Sequence, residues 1–202
     1  MAKKNFYITT PIYYPSARPH MGHAYSSIVA DVIARFKRLD NFNVFFLTGT
    51  DEHGQKIQRA AEAANKKPLD FCNDISKTFK DLTKILNLSN NDFIRTTEER
   101  HHVAVKALWD KLHSTGDIYL SKYKGWYSIS DEAFYNEDEV IEKDGNKVSS
   151  LSGSKVDWVE EESFFFKLSS WEKKLLEFYD KNSKFILPLS RRNEVINFGL
   201  SS

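Results

Sequence analysis

The sequence contains a single cysteine, Cys72, and no long apolar run. One cysteine excludes an intramolecular disulfide and any metal site built from several thiolates. A membrane-spanning helix needs roughly 18 or more consecutive apolar residues, and because no such stretch is present, no membrane contact is predicted. The first residues also lack the apolar core of a secretory signal, so a cytoplasmic location is predicted.

A strong net charge is also absent. The chain carries 29 Lys/Arg and 28 Asp/Glu residues, a formal net charge of +1. Residues 1–113 have 17 basic and 12 acidic side chains, a balance of +5, whereas residues 114–202 have 12 and 16, a balance of −4. Neither part has the basic composition of a dedicated nucleic-acid binder. Tight nonspecific binding to nucleic acid is therefore not predicted, although a nucleic acid held by local contacts is compatible with this composition.

The first 113 residues alternate between strand and helix patterns. Aromatic and β-branched residues at 5–10, an apolar run at 44–48 and a brief segment at 92–95 predict three strands. Apolar residues at helical spacing predict helices over 23–39 and in the two segments that follow the second and third strands. This order is that of half of a doubly wound α/β parallel sheet, an incomplete Rossmann-like fold.

The spacing of a few residues predicts three further details of these helices. Thr96 and Glu99 have the spacing of a capping box, which predicts Thr96 as an N-cap. Cys72 shares a helix face with Phe71 and Ile75 and is therefore placed in the core. The apolar side chains of the first helix share one face, and they are Ile28, Val32, Phe36 and Leu39.

A different pattern follows the predicted half-sheet. Segments 118–120 and 126–129 predict short antiparallel strands. Residues 131–162, with 11 acidic and 3 basic side chains, predict hairpins, one of which turns at Asp144 and Gly145. Helical spacing returns in the last part of the chain. The predicted domains are residues 1–114, a small α+β insertion at 115–187 and a return to the first domain at 188–202.

The chemistry is predicted at the ends of the first two strands. His20 and His23 bracket a glycine where a helix begins, and two imidazoles beside free backbone amides suit a phosphate. Ligands of open α/β sheets bind at the C-terminal ends of parallel strands. The loops 11–23 and 49–54 follow such ends, so His20, His23 and Asp51 converge on one crevice if the strands are neighbours. There the carboxylate would hold an ammonium group, and the histidines would stabilise charge on a phosphate.

Each of these features also has a structural interpretation. Taken singly, a His-x-x-His pair is more often structural than catalytic. It could also bind a metal together with Asp51 and His53, although no His-Glu-x-x-His or related pattern supports this. Segment 50–54 could be an ordinary turn. The aromatic segment 163–166 is interpreted as packing, and the acidic run 131–162 as a solvated surface.

Six ordered segments spread along nearly the whole chain break this tie. They are residues 6–15, 19–25, 47–57, 92–101, 125–132 and 189–194. Together they resemble the class I aminoacyl-tRNA synthetases, and more narrowly the methionyl-tRNA synthetases. The insertion at 115–187 resembles the connective-peptide domain of that family.

The resemblance implies a two-step ligase. L-Methionine would attack the α-phosphate of ATP, with Mg²⁺ bound mostly through the phosphates, and the methionyl group would then pass to tRNA(Met). The family's pattern assigns ATP binding to His20, Gly22 and His23, of which His20 and His23 would be catalytic. It assigns methionine binding to Pro11, Ile12, Tyr14 and Asp51, of which Asp51 would hold the ammonium group.

The chain departs from the family's pattern in two ways. Many members carry Cys-x-x-Cys zinc knuckles where this chain has Ser128-Ile129-Ser130-Asp131, so the resemblance implies the zinc-free subtype and no metal site. The family's Lys-Met-Ser-Lys-Ser loop is not found in this sequence. Segment 147–150 is similar to it, but this segment lies within the insertion and therefore at the wrong place in the chain order. The chain is therefore predicted to be an N-terminal portion with half of the catalytic domain. Two alternatives stay open: a noncatalytic fragment, and another His-x-Gly-His nucleotidyltransferase without tRNA.

Overall fold

The computed structural model describes residues 3–200, with side chains described from residue 3 to residue 197. Of the predicted return segment 188–202, the last two residues lie outside the described residues. No described helix is both long enough and apolar enough to cross a membrane.

The described elements alternate between strands and helices at first and are strand-rich later. The strands, in chain order, are β1 (Asn5–Thr9), β2 (Asn43–Thr50), β3 (Asp92–Arg95), β4 (Ile118–Ser128), β5 (Ala133–Tyr135), β6 (Val140–Lys143), β7 (Asn146–Ser149) and β8 (Asp157–Phe166). The α-helices are α1 (Met21–Leu39), α2 (Gln55–Ala63), α3 (Pro68–Ile85), α4 (Glu99–Ser114), α5 (Glu172–Lys181) and α6 (Leu189–Leu200). Short 3₁₀ turns span Glu137–Glu139 and Leu168–Ser170.

The described chain divides into two compact units. The first runs to Lys106 and includes Tyr127–Asp157, and the second contains Ala107–Trp126 and the chain from Trp158 onward. Part of the predicted insertion therefore groups with the first unit. The predicted domain limits themselves stay a prediction.

A parallel sheet in the order β1-β2-β3 organises the first unit. Asn5 pairs with Asn43 at one end of the register, and Thr50 pairs with Arg95 at the other. The sequence-based prediction of an α/β fold with a parallel sheet is confirmed. Strand β2 extends to Thr50, two residues further than predicted. Gly49 permits this extension, because a Cβ at this position would lie 2.0 Å from the carbonyl oxygen of Ile94 on β3. The close approach of β2 and β3 requires a glycine at this position.

Two clusters of buried side chains form the core of the first unit. Ala30 and Ala34 of α1 pack on Val44 and Phe46 of β2. The second cluster joins α2 to α3 and consists of Ile57, Ala61, Phe71 and Cys72. The predicted core position of Cys72 is confirmed.

Helix α1 buries small and polar side chains rather than its large apolar ones. Its buried residues are Ser27, Ala30, Asp31 and Ala34. The apolar face that indicated the helix is exposed, from 44% at Ile28 to 88% at Leu39. Small side chains let the helix axis approach the sheet closely, and Asp31 is accommodated because it accepts hydrogen bonds from Arg35 and Ser89.

The later strands differ from the prediction in one respect. The two short strands expected at 118–120 and 126–129 are one continuous strand, β4, in a sheet of order β5-β4-β8. The predicted hairpin turn is confirmed, because β6 and β7 pair antiparallel and both Asp144 and Gly145 have positive φ, 51° and 75°. The predicted helix near the end of the chain is also confirmed as α5.

Candidate active site

His20 and His23 form a reciprocal cap at the start of α1. The backbone N–H of Gly22 donates to Nδ1 of His20 at 3.0 Å. The backbone N–H of His20 donates to Nδ1 of His23 at 3.1 Å. Because both Nδ1 atoms accept, each neutral ring carries its proton on Nε2. The cap thus leaves two N–H donors available beside the positive end of the helix dipole.

The His23 ring is held by aromatic neighbours. Its centroid lies 3.9 Å from that of His20, 4.9 Å from that of Tyr13 and 5.0 Å from that of Phe79. Burial lowers the pKa of His23 below its usual value, and the neighbouring His20 lowers it further. The imidazole of His23 is therefore a neutral hydrogen-bond donor at neutral pH rather than a cation.

Gly22 is required by the position of the His20 ring. A Cβ at Gly22 would lie 2.9 Å from Cε1 and 3.1 Å from Nδ1 of His20. Any side chain there would push the imidazole away from the cap. The glycine between the two histidines therefore has a steric explanation in the structure, namely the space that the His20 ring occupies.

The loop after β1 is joined to the end of β2. Tyr13 pairs with Thr50 in an isolated parallel bridge, with Tyr13 N–H donating to Gly49 O at 3.0 Å and Asp51 N–H donating to Tyr13 O at 2.8 Å. Tyr14 and Asp51 consequently line one open cavity of about 390 Å³. The remaining residues around this cavity are His53, Gly54, Gln55, Tyr127 and Glu132.

The other predicted site residues lie around different features. Ile12 lines a second, mostly apolar cavity of about 300 Å³, together with Thr10 and with residues of β1, β2 and β3 that include Ile94. Pro11 is exposed. His20 and His23 line neither of these two cavities. The structure therefore brings Tyr14 and Asp51 together and places the histidine pair at a separate feature of the same unit, the start of α1.

Glu52 was missed by the sequence reasoning, although it organises the loop after β2. Its side chain is fully buried, and its two oxygens accept hydrogen bonds from Arg95 at 2.7 and 2.8 Å. It also accepts from the hydroxyls of Thr50 at 2.7 Å, Thr97 at 2.5 Å and Ser76. Burial by itself would raise the pKa of Glu52, but these hydrogen bonds outweigh it and lower the pKa below its usual value. A buried carboxylate with this many donors stays ionised.

Thr96 also acts on this loop, and its predicted role as a helix cap is wrong. Helix α4 begins at Glu99, and the hydroxyl of Thr96 accepts the backbone N–H of Glu52 at 2.8 Å. The carbonyl oxygen of Thr96 lies 3.3 Å from Nε2 of His53. The loop that carries Asp51 is therefore held from the end of β3.

Tyr14 connects this loop to the segment after β4. Its hydroxyl lies 2.5 Å from the carbonyl oxygen of His53 and 3.2 Å from Oε1 of Glu132. Burial, the negative charge of Glu132 and its hydrogen bond raise the pKa of Tyr14 to about 12. The group remains a neutral hydroxyl donor.

A hydrogen-bond network surrounds Asp131, in the segment that follows β4. Asp131 accepts hydrogen bonds from the hydroxyls of Ser152 at 2.5 Å, Ser154 at 2.8 Å and Tyr135 at 2.8 Å, which lower its pKa to about 2. The hydroxyl of Ser128 accepts the backbone N–H of Asp131 at 3.2 Å. Serine hydroxyls around one carboxylate do not fit zinc, which prefers thiolates and imidazoles. The described residues contain no group of three or more metal-ligating side chains.

Comparisons with known proteins agree with this fold. The methionine–tRNA ligase of Rickettsia felis is 54% identical over 196 residues, which are 97% of this chain and 38% of that protein. The methionine–tRNA ligase of Rhizobium meliloti is 52% identical over 194 residues, 96% of this chain and 37% of that protein. The structure of Mycobacterium tuberculosis methionyl-tRNA synthetase in complex with methionyl-adenylate matches 98% of this chain and 39% of that one, with a TM-score of 0.93 and 48% identity.

This chain thus spans about 38% of the length of the curated relatives it matches. The family model described as tRNA synthetases class I (M) matches residues 6–200, nearly the whole chain. The chain therefore belongs to the class I tRNA synthetases (M).

Proposed function

We propose that this chain takes part in the ATP-dependent activation of L-methionine and its transfer to tRNA(Met) in the cytoplasm. Its relatives carry the name methionine–tRNA ligase, and one matching structure contains methionyl-adenylate. These are statements about those proteins, and this chain spans 38–39% of their lengths. The observation that carries the proposal here is the cap of α1, which leaves two imidazole N–H donors free at a helix N-terminus.

The proposed first step forms one P–O bond and breaks another. A carboxylate oxygen of methionine attacks the α-phosphorus of ATP, and the bond from that phosphorus to the bridging oxygen of pyrophosphate breaks. Negative charge gathers on the non-bridging oxygens, where His20 and His23 would donate from Nε2. Removing one donor of this kind typically slows a reaction by about 10²–10³-fold. The backbone at Gly22 would approach the phosphates closely, because no side chain intervenes.

The cavity lined by Tyr14 and Asp51 would hold the amino-acid end of methionine. The carboxylate of Asp51 makes no hydrogen bond or ion pair with any described residue, so it is available to an ammonium group. The apolar cavity lined by Ile12 suits a thioether, which is soft and adaptable. Pro11 would border the same region.

Mg²⁺ would be held mainly by the phosphates of ATP, since it prefers oxygen ligands and keeps much of its water. Zinc is not part of the proposal, because hydroxyl donors around Asp131 fill the place that thiolates would take. Metal analysis of the purified chain should therefore find zinc far below one atom per molecule. A stoichiometric zinc content would contradict this.

ATP–pyrophosphate exchange tests the activation step. The 202-residue chain is supplied with Mg²⁺, ATP, labelled pyrophosphate and each standard amino acid in turn. Exchange with methionine alone would support the proposal. Exchange with a different amino acid would overturn its substrate. Absence of exchange with every amino acid would favour the noncatalytic alternative for this chain.

A further inference from the structure

We propose that Glu132 is a positioning residue of the amino-acid cavity, which it serves by holding the hydroxyl of Tyr14 at the cavity wall. Both side chains line the cavity that also contains Asp51. The inference rests on the proposed function for the identity of the ligand, an α-amino acid. The contact between Glu132 and Tyr14 stands on geometry alone.

The Tyr14 hydroxyl is held between two acceptors. The carbonyl oxygen of His53 lies 2.5 Å away, and Oε1 of Glu132 lies 3.2 Å away on the segment after β4. A phenol has one proton, so the two oxygens share or compete for it. The hydroxyl also lies against the backbone of Gly54, where a Cβ would be 2.2 Å from it. Three contacts therefore define where this ring ends.

The backbone around Glu132 is arranged to deliver its side chain. Glu132 has a φ of 53°, a left-handed conformation that residues other than glycine rarely adopt. Asp131, directly before it, is anchored by hydrogen bonds from Ser152, Ser154 and Tyr135. The anchor and the unusual φ together turn Glu132 towards Tyr14. Such local strain is kept where surrounding contacts over-determine it.

The two carboxylates of the cavity differ in their interaction partners. Glu132 is engaged by the Tyr14 hydroxyl and lies 4.0 Å from the ammonium group of Lys56. The carboxylate of Asp51 has no hydrogen-bond or ion-pair partner among the described residues. An incoming ammonium group therefore finds Asp51 free and Glu132 occupied. Asp51 would therefore bind the ammonium group of the ligand, and Glu132 would position the Tyr14 ring at the wall of the cavity.

The test observes Tyr14 directly and methionine binding separately. The whole chain is labelled with [ζ-¹³C]tyrosine, and the Tyr14 resonance is identified by its loss in Tyr14→Phe. Glu132→Ala should shift that resonance, whereas Glu132→Gln, which keeps an acceptor oxygen, should shift it less. Glu137→Gln, an exposed glutamate on the same segment, is the matched control and should leave it in place.

Calorimetric titration with L-methionine then measures the consequence. Glu132→Ala should weaken binding about tenfold, as expected for a lost hydrogen bond to a charged group, and Glu132→Gln should restore most of the affinity. In the Tyr14→Phe background, Glu132→Ala should add little, since both changes remove one contact. An unmoved Tyr14 resonance in Glu132→Ala would overturn the inference, and so would a full additive loss in the double variant. If the unsubstituted chain binds no methionine, the proposed function fails, and the Tyr14 resonance alone decides the positioning role.

Discussion

Nδ1 of His23 accepts a hydrogen bond from the backbone N–H of His20 at 3.1 Å. The histidine that begins the helix and the histidine one turn later thus define each other's position. The helix cap consumes both Nδ1 atoms and leaves both Nε2–H groups for another partner. One motif therefore serves the stability of α1 and, in our proposal, the chemistry of ATP.

Substituting His20 by asparagine separates these two roles. Asparagine is a good N-cap, so His20→Asn should keep the unfolding midpoint close to that of the unsubstituted chain. It lacks the Nε2–H donor, so methionyl adenylate formation should slow by about 10²–10³-fold with little change in methionine affinity. The measurements are thermal unfolding, pyrophosphate exchange and methionine titration. If His20→Asn retains the full rate while His20→Ala does not, the histidine acts only as a cap.

Alanine at Gly22 should also separate stability from activity. Gly22 lies in the first turn of α1, and alanine favours a helix by up to about 1 kcal/mol over glycine. Its Cβ would, however, lie 2.9 Å from the His20 ring and displace it. The gain in helix propensity and the loss of the His20 cap should largely offset each other, so we expect Gly22→Ala to unfold close to the temperature of the unsubstituted chain and to form adenylate more slowly. Undiminished activity in a fully folded Gly22→Ala would show that the ring position is unimportant.

The buried pair of Glu52 and Arg95 should matter more than any exposed pair. Glu52→Gln removes the charge that Arg95 pairs with at 2.7 Å, and breaking a buried pair costs about 3–5 kcal/mol. The matched control is Asp74→Asn, which breaks an exposed pair with Lys66 and should cost less than about 1 kcal/mol. Urea denaturation of both variants measures the two losses. Equal losses would mean that Glu52 is not the structural centre of the loop.

The lowered pKa of His23 predicts a pH dependence of stability. A group whose pKa is lower in the folded than in the unfolded chain binds protons preferentially in the unfolded chain as the pH falls. Its contribution is therefore fully present above about pH 6.5, the ordinary value for histidine, and is lost as the pH falls through the lowered folded value. Unfolding midpoints between pH 5 and 8 should fall on acidification, and less steeply in His23→Gln. Parallel curves for the two proteins would contradict the assignment.

The local signals in the sequence predicted the elements of the first unit well. The apolar run of β2 and the turn at Asp144-Gly145 each specify structure through nearby residues. The rule for strand ends predicted that His20, His23 and Asp51 would converge on one crevice. The cavity that contains Asp51 is lined by Tyr14 and by neither of the two histidines.

Distant partners explain what the sequence reasoning missed. Glu52 is stabilised by Arg95, 43 residues away, and nothing local indicates a buried carboxylate. Arg95 at the end of β3, beside Thr50 in the sheet register, is the signal that could have revealed it. Thr96 lies in a capping sequence, but its hydroxyl oxygen accepts a hydrogen bond from the backbone N–H of Glu52 instead of capping the helix. In these cases a tertiary hydrogen bond replaced the local one.

The most direct test of the account observes the imidazole nitrogens themselves. Long-range ¹H–¹⁵N spectra of the histidines, assigned with His20→Asn and His23→Gln, report the protonation and hydrogen bonding of each ring nitrogen. On addition of ATP and Mg²⁺, we expect the Nε2 resonances of His20 and His23 to move while both Nδ1 resonances keep the values of acceptors. The proposed role of the histidine pair would be contradicted if the Nε2 resonances did not move at saturating ATP. It would also be contradicted if the rings were protonated on Nδ1.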